Sequence, residues 1–367
     1  MQSSNNIYLE RVDILRFVAA TLVIFWHYFH YGTIPHEVLP HHFSLSVLEE
    51  GHTGVSLFIV LSGFIFQYIN SGKEISYFKF LRNRFFRIFP LAIFWILIYV
   101  AKDHLNPVEV LLNTIFVFNP LSVPGVGWTI IVEFQFYLIF PVFHKIIERK
   151  GGTLNIVGLI VLMILLRGML YINTGNMRDF AYYSIFGRLD QFLLGVIAAK
   201  LYANRLSSFF SRPELEKLRL FLLAGVVAGL LVVFHFFVMA GGYFGVDNEH
   251  GKGAAWIVFL DVEALFYAGI IVLYLSLNKY ALLRPVESFF AKLGEFSYSM
   301  YWLHWPMILA LCVIIMRLNI FNPGPRSFAS MWLIGFAVIL PAIVFVSALS
   351  YTFFEKPFLR FREKYTT

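Results

Sequence analysis

The alternation of apolar and polar residues divides the 367-residue chain into long hydrophobic runs joined by short, mostly basic connections. A run of about 20 apolar residues makes enough helix to cross the hydrocarbon core of a bilayer. Such runs predict ten transmembrane helices, over 11–32, 51–70, 85–101, 127–147, 154–172, 182–203, 219–240, 254–278, 293–317 and 328–354. The stretch VEVLLNTIFVF, residues 108–118, is too short to span and is expected to be interfacial or re-entrant. Nothing reads as a long linker, a low-complexity tract or an internal repeat. The expected fold is an all-α polytopic membrane helix bundle. Residues 1–367 form one membrane-embedded domain in this reading, with no soluble C-terminal domain.

Composition agrees. The chain is 59% hydrophobic and 14% charged, with mean hydropathy +0.72, whereas a soluble domain carries about 25% charged residues. The first run is not followed by an A-x-A-like cleavage site, so it is read as a retained helix. A net charge of +7 could suggest nucleic acid, but the basic residues border the hydrophobic runs, which is the pattern of membrane topology. With the N-terminus inside, about 21 Lys and Arg fall on one face and about 5 on the other, which predicts cytoplasmic N- and C-termini. His36, His41 and His42 then lie in an outside loop, read as solvated rather than metal-binding. Cys312 is the sole cysteine and is expected to be a small buried hydrophobe; it leaves no intramolecular disulfide and no cysteine-ligated metal.

Against this background a few polar residues stand out. RFVAATLVIFWH places Arg16 and His27 inside one hydrophobic run. Eleven residues is close to three helical turns, so the two share a face and sit roughly 16 Å apart along the axis. Charged side chains at membrane depth face a bundle interior or a watery cavity. In GWTIIVEFQFYLIFP, Glu133 falls about five residues below Trp128, a depth similar to that of His27 if both are measured from the outer boundary. Imidazole and carboxylate at one level suggest a general base with its partner, or a structural contact joining two helices. In KFLRNRFFRIFPL, Arg84 and Arg87 share a helix face one turn apart, with Arg82 beside them. Guanidinium forks suit phosphates, and equally suit snorkelling to anionic lipid head groups.

Other groups at membrane depth are Arg167, Arg188, Asp190, Asp261, Glu263 and His304. Arg188 and Asp190 are two apart and cannot face each other, so each is expected to find its partner on another helix. Asp13, one turn before Arg16, can neutralise it. His304 reads equally as a satisfied core histidine or a ligand-binding one. There is no GxSxG elbow, HExxH zinc helix or P-loop.

Taken together, these segments resemble the acyltransferase-3 family of integral membrane acyltransferases. The resemblance rests on VDILRFVAATLVIFWH, FIVLSGF (58–64), RFFRIFP (84–90), GWTIIVEFQFYLIFP (127–141), GRLDQFLLG (187–195), FSYSMYWLHWP (296–306) and YTFFEKPF (351–358), which run through nearly the whole chain. It implies a bacterial inner (plasma) membrane enzyme. Such an enzyme moves an acyl group, commonly acetyl, from cytoplasmic acyl-CoA to a hydroxyl of a surface polysaccharide or lipid-linked glycan. Carried over by position, it implies His27 as catalytic base, with Arg16 and Glu133 as catalytic partners and Arg84, Arg87 and Arg82 at the acyl-CoA. Trp128, Tyr298, His304, Arg188 and Asp190 are expected on the substrate side. Thr129 and Ile130 stand where Ser and Leu are usual in the family's WSLxxE-like segment, a departure that bears on acceptor geometry. Acetyl-CoA, or another acyl-CoA, would be the donor, with no metal. Lipids and a glycan acceptor would be the partners, with no nucleic acid and the oligomeric state open. The rival reading is a transporter or flippase for a lipid-linked or small polar substrate; neither inverted repeats nor paired broken helices are found to favour it.

Overall fold

The computed structural model describes residues 9–32, 34, 43–104, 106–110, 126–175, 177–203, 212–245, 253–278, 280–318 and 327–366. His36, His41, His42 and most of the 108–118 stretch lie outside the described residues. The helices are α1 Glu10–Tyr31, α2 Thr53–Asn70, α3 Tyr77–Asp103, α4 Trp128–Glu148, α5 Gly152–Thr174, α6 Ile185–Leu201, α7 Glu216–Met239, α8 Phe259–Ser276, α9 Ser297–Arg317 and α10 Ala329–Glu355. Among the described residues, nine of them are long and apolar enough to cross a membrane. The tenth expected span is α6, whose 17 residues cover roughly 25 Å, at the lower limit for crossing. It is short because the chain breaks at Ser184, whose hydroxyl caps α6 by accepting from the Gly187 N–H at 3.0 Å. The preceding residues form a separate helix, Arg178–Tyr183.

Lipid tails are as apolar as the helices, so packing in a membrane bundle favours small residues that let backbones approach. The contact of α2 with α6 is built this way. A Cβ on Gly63 would lie 2.1 Å from the Phe192 carbonyl oxygen, and one on Gly195 would lie 2.2 Å from that of Val60. The α1 and α2 spans are each 72% buried, against 22% for α5 and α7. The first two helices therefore stand at the centre, and the residues they carry are the ones enclosed.

Buried charges tie the centre to the periphery. Arg167 on α5 pairs with both Asp190 on α6 and Asp261 on α8. Its Nε also donates to the Ile257 carbonyl at 2.8 Å. Arg188 donates to Ser56 at 2.8 Å and Gln191 at 2.9 Å, and lies 3.8 Å from Glu263. Glu263 accepts from Ser56, from Thr53 at 2.8 Å and from Gln191 at 2.9 Å. Neither Arg188 nor Asp190 faces the other; each has its ion partner on another helix, as the two-residue spacing requires.

The helix expected from residue 85 begins at Tyr77. The basic stretch before the apolar run is thus its first two turns. The chain's last segment packs against those turns, as described below.

Candidate active site

Two cavities open between the central helices, and α1 contributes to both. The first, of about 110 Å³, lies among α1, α2, α3, α4 and α9 and is lined by Arg16, Arg84, Arg87, Glu133, Tyr137 and Tyr298 with apolar neighbours. We call it the arginine cavity. Arg16 is held by Asp13 at 2.8 Å, one turn earlier on α1. Arg87 is paired with Glu355 at the end of α10, 3.3 Å away, and its guanidinium lies 5.9 Å from the Tyr298 ring centre. Tyr298 donates to the Ile88 carbonyl at 2.7 Å. Arg84 lies over the rings of Phe66 at 4.8 Å and Phe80 at 5.4 Å, and its buried Nε has no hydrogen-bond partner. Glu133 accepts from Ser62 at 3.0 Å and from Tyr137. Arg16 and Arg87 are thus ion-paired, and Arg84 is the cation on this wall without a carboxylate among the described residues, a group that suits an anionic ligand.

The second cavity, of about 320 Å³, is lined by His27, His52, Trp26, Trp128, Tyr182, Tyr243 and further rings. We call it the histidine cavity. His27 Nδ1 lies 2.8 Å from the Val23 carbonyl. A carbonyl can only accept, so Nδ1 carries the proton and Nε2 is left as a lone-pair base. His304 packs against His27, ring centres 4.6 Å apart, and is itself fixed through Nδ1 to the Tyr301 carbonyl at 2.6 Å. Its Nε2 has no partner. Arg178 lies over the Tyr243 ring at 5.2 Å, and the Tyr183 and Tyr243 hydroxyls meet at 2.6 Å.

The two cavities meet at Val55 and Tyr301, which line both. Tyr301 is pinned there by Thr129, which donates to it at 2.8 Å, and by its own hydroxyl donating to Val126 at 3.2 Å. Thr129 thus acts at the junction of the cavities.

The structure redistributes several expected residues. His27 and Glu133 do not pair: Glu133 lines the arginine cavity and His27 the histidine cavity. Similar depth read along two separate helices does not make them neighbours, because helices tilt and rotate in packing. Arg82 faces away from the arginine cavity, is half exposed and pairs with Glu363. Arg188 and Asp190 line neither cavity; both are wholly buried in ion pairs. Arg188 stands behind the histidine cavity wall, 4.2 Å from the Tyr182 ring centre. Trp128 and Tyr298, expected on one side, are separated: Trp128 lines the histidine cavity and Tyr298 the arginine cavity, while His304 backs His27.

Three residues escaped the reading of the sequence. Tyr301 follows Tyr298 at a spacing of three, so helical periodicity could have found it. His52 precedes its helix and was not weighed. It is 1% exposed, with Nε2 donating to Glu50 at 2.8 Å and Nδ1 unpartnered. Burial pushes its pKa down to about 3, so it is neutral at pH 7. Arg362, whose charge acts on Arg84 and Arg87 of the arginine cavity, read only as a topology charge. Among the described residues no group of three or more His, Cys, Asp and Glu side chains could hold a metal ion.

The chain is 26% identical over 325 residues to a protein of Acidianus two-tailed virus named "Putative acetyltransferase ORF330", covering 85% of this chain and 87% of that one. It is 25% identical to the O-acetyltransferase OatA of Staphylococcus aureus (strain NCTC 8325 / PS 47), over 74% of this chain and 48% of that protein. It is 24% identical to "Putative peptidoglycan O-acetyltransferase YrhL" of Bacillus subtilis (strain 168), over 87% of this chain and 52% of that one. The chain thus spans about half the length of these two bacterial relatives. No solved structure matches. The model for an acyltransferase domain matches residues 9–352, and the chain belongs to that family, acyltransferase-3.

Proposed function

We propose that this protein transfers an acyl group, in the simplest case acetyl, from cytoplasmic acyl-CoA to a hydroxyl of a surface polysaccharide or lipid-linked glycan at a bacterial inner membrane. One observation carries the reading: a single central helix presents an arginine to one cavity and a histidine base to another, and the cavities adjoin at Val55 and Tyr301.

The residues of the arginine cavity fit an acyl-CoA. Guanidinium groups on Arg84 and Arg87 match its phosphates, and the buried, unpartnered Nε of Arg84 is a donor without an acceptor, an arrangement that a bound anion completes. The narrow interior beyond, lined by Ile59, Ile65 and Ile88, suits a thin acyl-pantetheine arm. When bound, the acyl-CoA supplies an activated thioester. This reading places the arginine end of the bundle at the cytoplasm, in keeping with the distribution of Lys and Arg.

In the histidine cavity the acceptor needs a base, because a sugar hydroxyl has a pKa far above neutral. His27 Nε2 takes the proton as the hydroxyl attacks the acyl carbon; the C–S bond of the thioester then breaks, and the proton held by His27 is given up to the departing thiolate, leaving an ester, coenzyme A thiol and a neutral imidazole. Val23, accepting from Nδ1–H, holds the ring in the required tautomer and stabilises the imidazolium that forms. Positioned bases of this kind typically contribute 10²–10⁴-fold. The flat aromatic walls offer stacking surfaces to a sugar ring, and His52 Nδ1 offers a hydrogen-bond acceptor to one of its hydroxyls. Glu133, placed among the arginines, balances their charge and does not orient His27.

The test is the full chain in lipid nanodiscs with acetyl-CoA labelled in its acetyl group. Free coenzyme A thiol and label on isolated surface glycans are both expected. Mass spectrometry of surface glycans with and without the gene should differ by the acyl mass. Unchanged glycans together with no thiol release would overturn the proposal.

A further inference from the structure

The last residues of the described chain lie as a strap across the start of α3, the helix whose Arg84 and Arg87 line the arginine cavity. Ile75 and Thr366 form an antiparallel bridge, and the Ser76 N–H donates to the Tyr365 carbonyl at 2.8 Å. Asn83 then clasps the strap from both sides. Its side-chain amide donates to the Glu363 carbonyl at 2.6 Å, and its oxygen accepts from the Glu363 N–H at 2.9 Å. Asn83 is 2% exposed, so these two bonds form out of water, where losing either leaves a buried polar group unmet. Tyr365 packs on Phe80 with centroids 5.4 Å apart, Phe361 packs on Phe86 at 5.3 Å, and Arg82 pairs with Glu363. Together these contacts, spread over a segment of six residues, define one position for the residue between them, Arg362.

That position is electrostatically expensive. Arg362 has no ion pair among the described residues, and its Nε donates only to the Leu359 carbonyl, at 3.4 Å. Burial and then the neighbouring charges of Arg87 and Arg84 push it down to about 10, so at neutral pH it still carries its charge. The neighbouring carboxylates are already engaged, Glu355 by Arg87 and Ser299 and Glu363 by Arg82. Crowding a third guanidinium onto two others, and building a buried clasp to hold it there, costs stability unless an anion completes the cluster.

We propose that Arg362 is a third binding residue for the phosphates of the acyl donor, delivered to the donor site by the strap, and that Asn83 is its positioning residue. The inference rests on the donor assignment of the arginine cavity and extends it to a part of the chain remote in sequence. It also explains Asn83 itself: between Arg82 and Arg84, it couples the helix that carries two of the cations to the segment that carries the third. Arg82 belongs to the clasp rather than to the ligand.

The experiment measures coenzyme A binding to the full chain in nanodiscs, by calorimetry, across a salt series. Arg362→Gln should weaken coenzyme A about ten- to a hundredfold and lower the salt dependence of binding. Arg362→Lys should recover part of the loss, since it restores a point charge without the fork. Asn83→Ala should weaken coenzyme A with Arg362 still present, in a protein whose Arg82→Gln variant binds it within about threefold of the original. A purely structural strap predicts another pattern: lower melting temperature in all these variants and unchanged coenzyme A affinity in those that remain folded. Coenzyme A binding in Arg362→Gln within twofold of the unaltered chain overturns the inference alone, provided that Arg84→Gln has lost it. No binding by the unaltered chain overturns the donor assignment as well.

Discussion

The two cavities differ in the kind of side chain that lines them, and the proposed function rests on that difference. The arginine cavity is small, about 110 Å³, and is lined by three arginines, of which Arg16 and Arg87 are ion-paired and Arg84 has no carboxylate among the described residues. The histidine cavity is larger, about 320 Å³, and is walled by aromatic rings and imidazoles. Guanidinium forks recognise an anion by charge and geometry. Aromatic faces with hydroxyl tips recognise a body that is apolar on its faces and polar at its edges. A membrane protein that only anchored itself to lipid head groups would need the first and not the second.

The comparison breaks most decisively at His27. His27→Gln keeps a hydrogen-bonding side chain but takes up no proton, so transfer should fall by about 10²–10⁴-fold while coenzyme A affinity is unchanged. Labelled acetyl transfer and calorimetry on the same preparation check this. Substantial turnover by the folded variant would remove the base from the histidine cavity and leave the division of labour without its chemistry.

Charges that line neither cavity should behave differently from those that do. Removing Arg167 strands Asp190 and Asp261 in the bundle, so Arg167→Leu should cost about 3–5 kcal/mol of stability. Thermal unfolding in nanodiscs would record it as a lowered melting temperature. Coenzyme A affinity of the surviving folded fraction should stay near that of the unaltered chain; a selective loss would place the ion-pair network in the donor site.

Within the arginine cavity, Arg84→Ala and Arg87→Ala should each lose about 1.5–3 kcal/mol of donor binding, read as a raised KM for acyl-CoA with the acceptor KM little changed. Arg87→Ala has a second consequence, because Glu355 would lose its cation; the companion change Glu355→Gln should restore stability but not affinity. The smallest effect is expected across the divide, at His52. His52→Ala should raise the acceptor KM by about tenfold, one charge-free hydrogen bond, and leave the donor KM unchanged. Because burial holds His52 near a pKa of about 3, it remains neutral from pH 5 to pH 8. The ratio of variant to unaltered KM should therefore be flat over that range. A ratio that changes near pH 6 would mean that His52 gains a proton in the working enzyme.

Several of these residues could be named before any tertiary structure was known, and the reason is specific. Arg16 and His27 lie on one helix, and the rise of a helix sets their separation whatever surrounds them. Arg84 and Arg87 are a turn apart for the same reason. The helices themselves follow from apolar runs, because a backbone in lipid must satisfy its own hydrogen bonds. Even the shortfall at α6 has a local cause, in the break at Ser184. Cys312 is buried, as its apolar surroundings implied.

What joins one helix to another was not available from the sequence. Glu133 and His27 looked like partners because depth was measured along two helices independently, and the packing sends one to the arginines and the other to His304. Arg188 and Asp190 looked like ligands for a substrate, and the bundle supplies Glu263 and Arg167 as their counter-ions. His52 and Arg362 drew no notice, being a residue ahead of a helix and a charge in a basic tail. Only the approach of Trp26 and Tyr243 turns the first into a cavity wall, and only the strap's contacts with α3, the Asn83 clasp among them, set the second beside the helix of Arg84 and Arg87. Sequence determined the membrane class, the helices and the spacing of groups within each of them, since those depend on local hydrogen bonding and hydrophobic length. Tertiary structure alone decided which charges are neutralised and which are left to meet a ligand, because that depends on the rotation and tilt of helices brought together from distant parts of the chain.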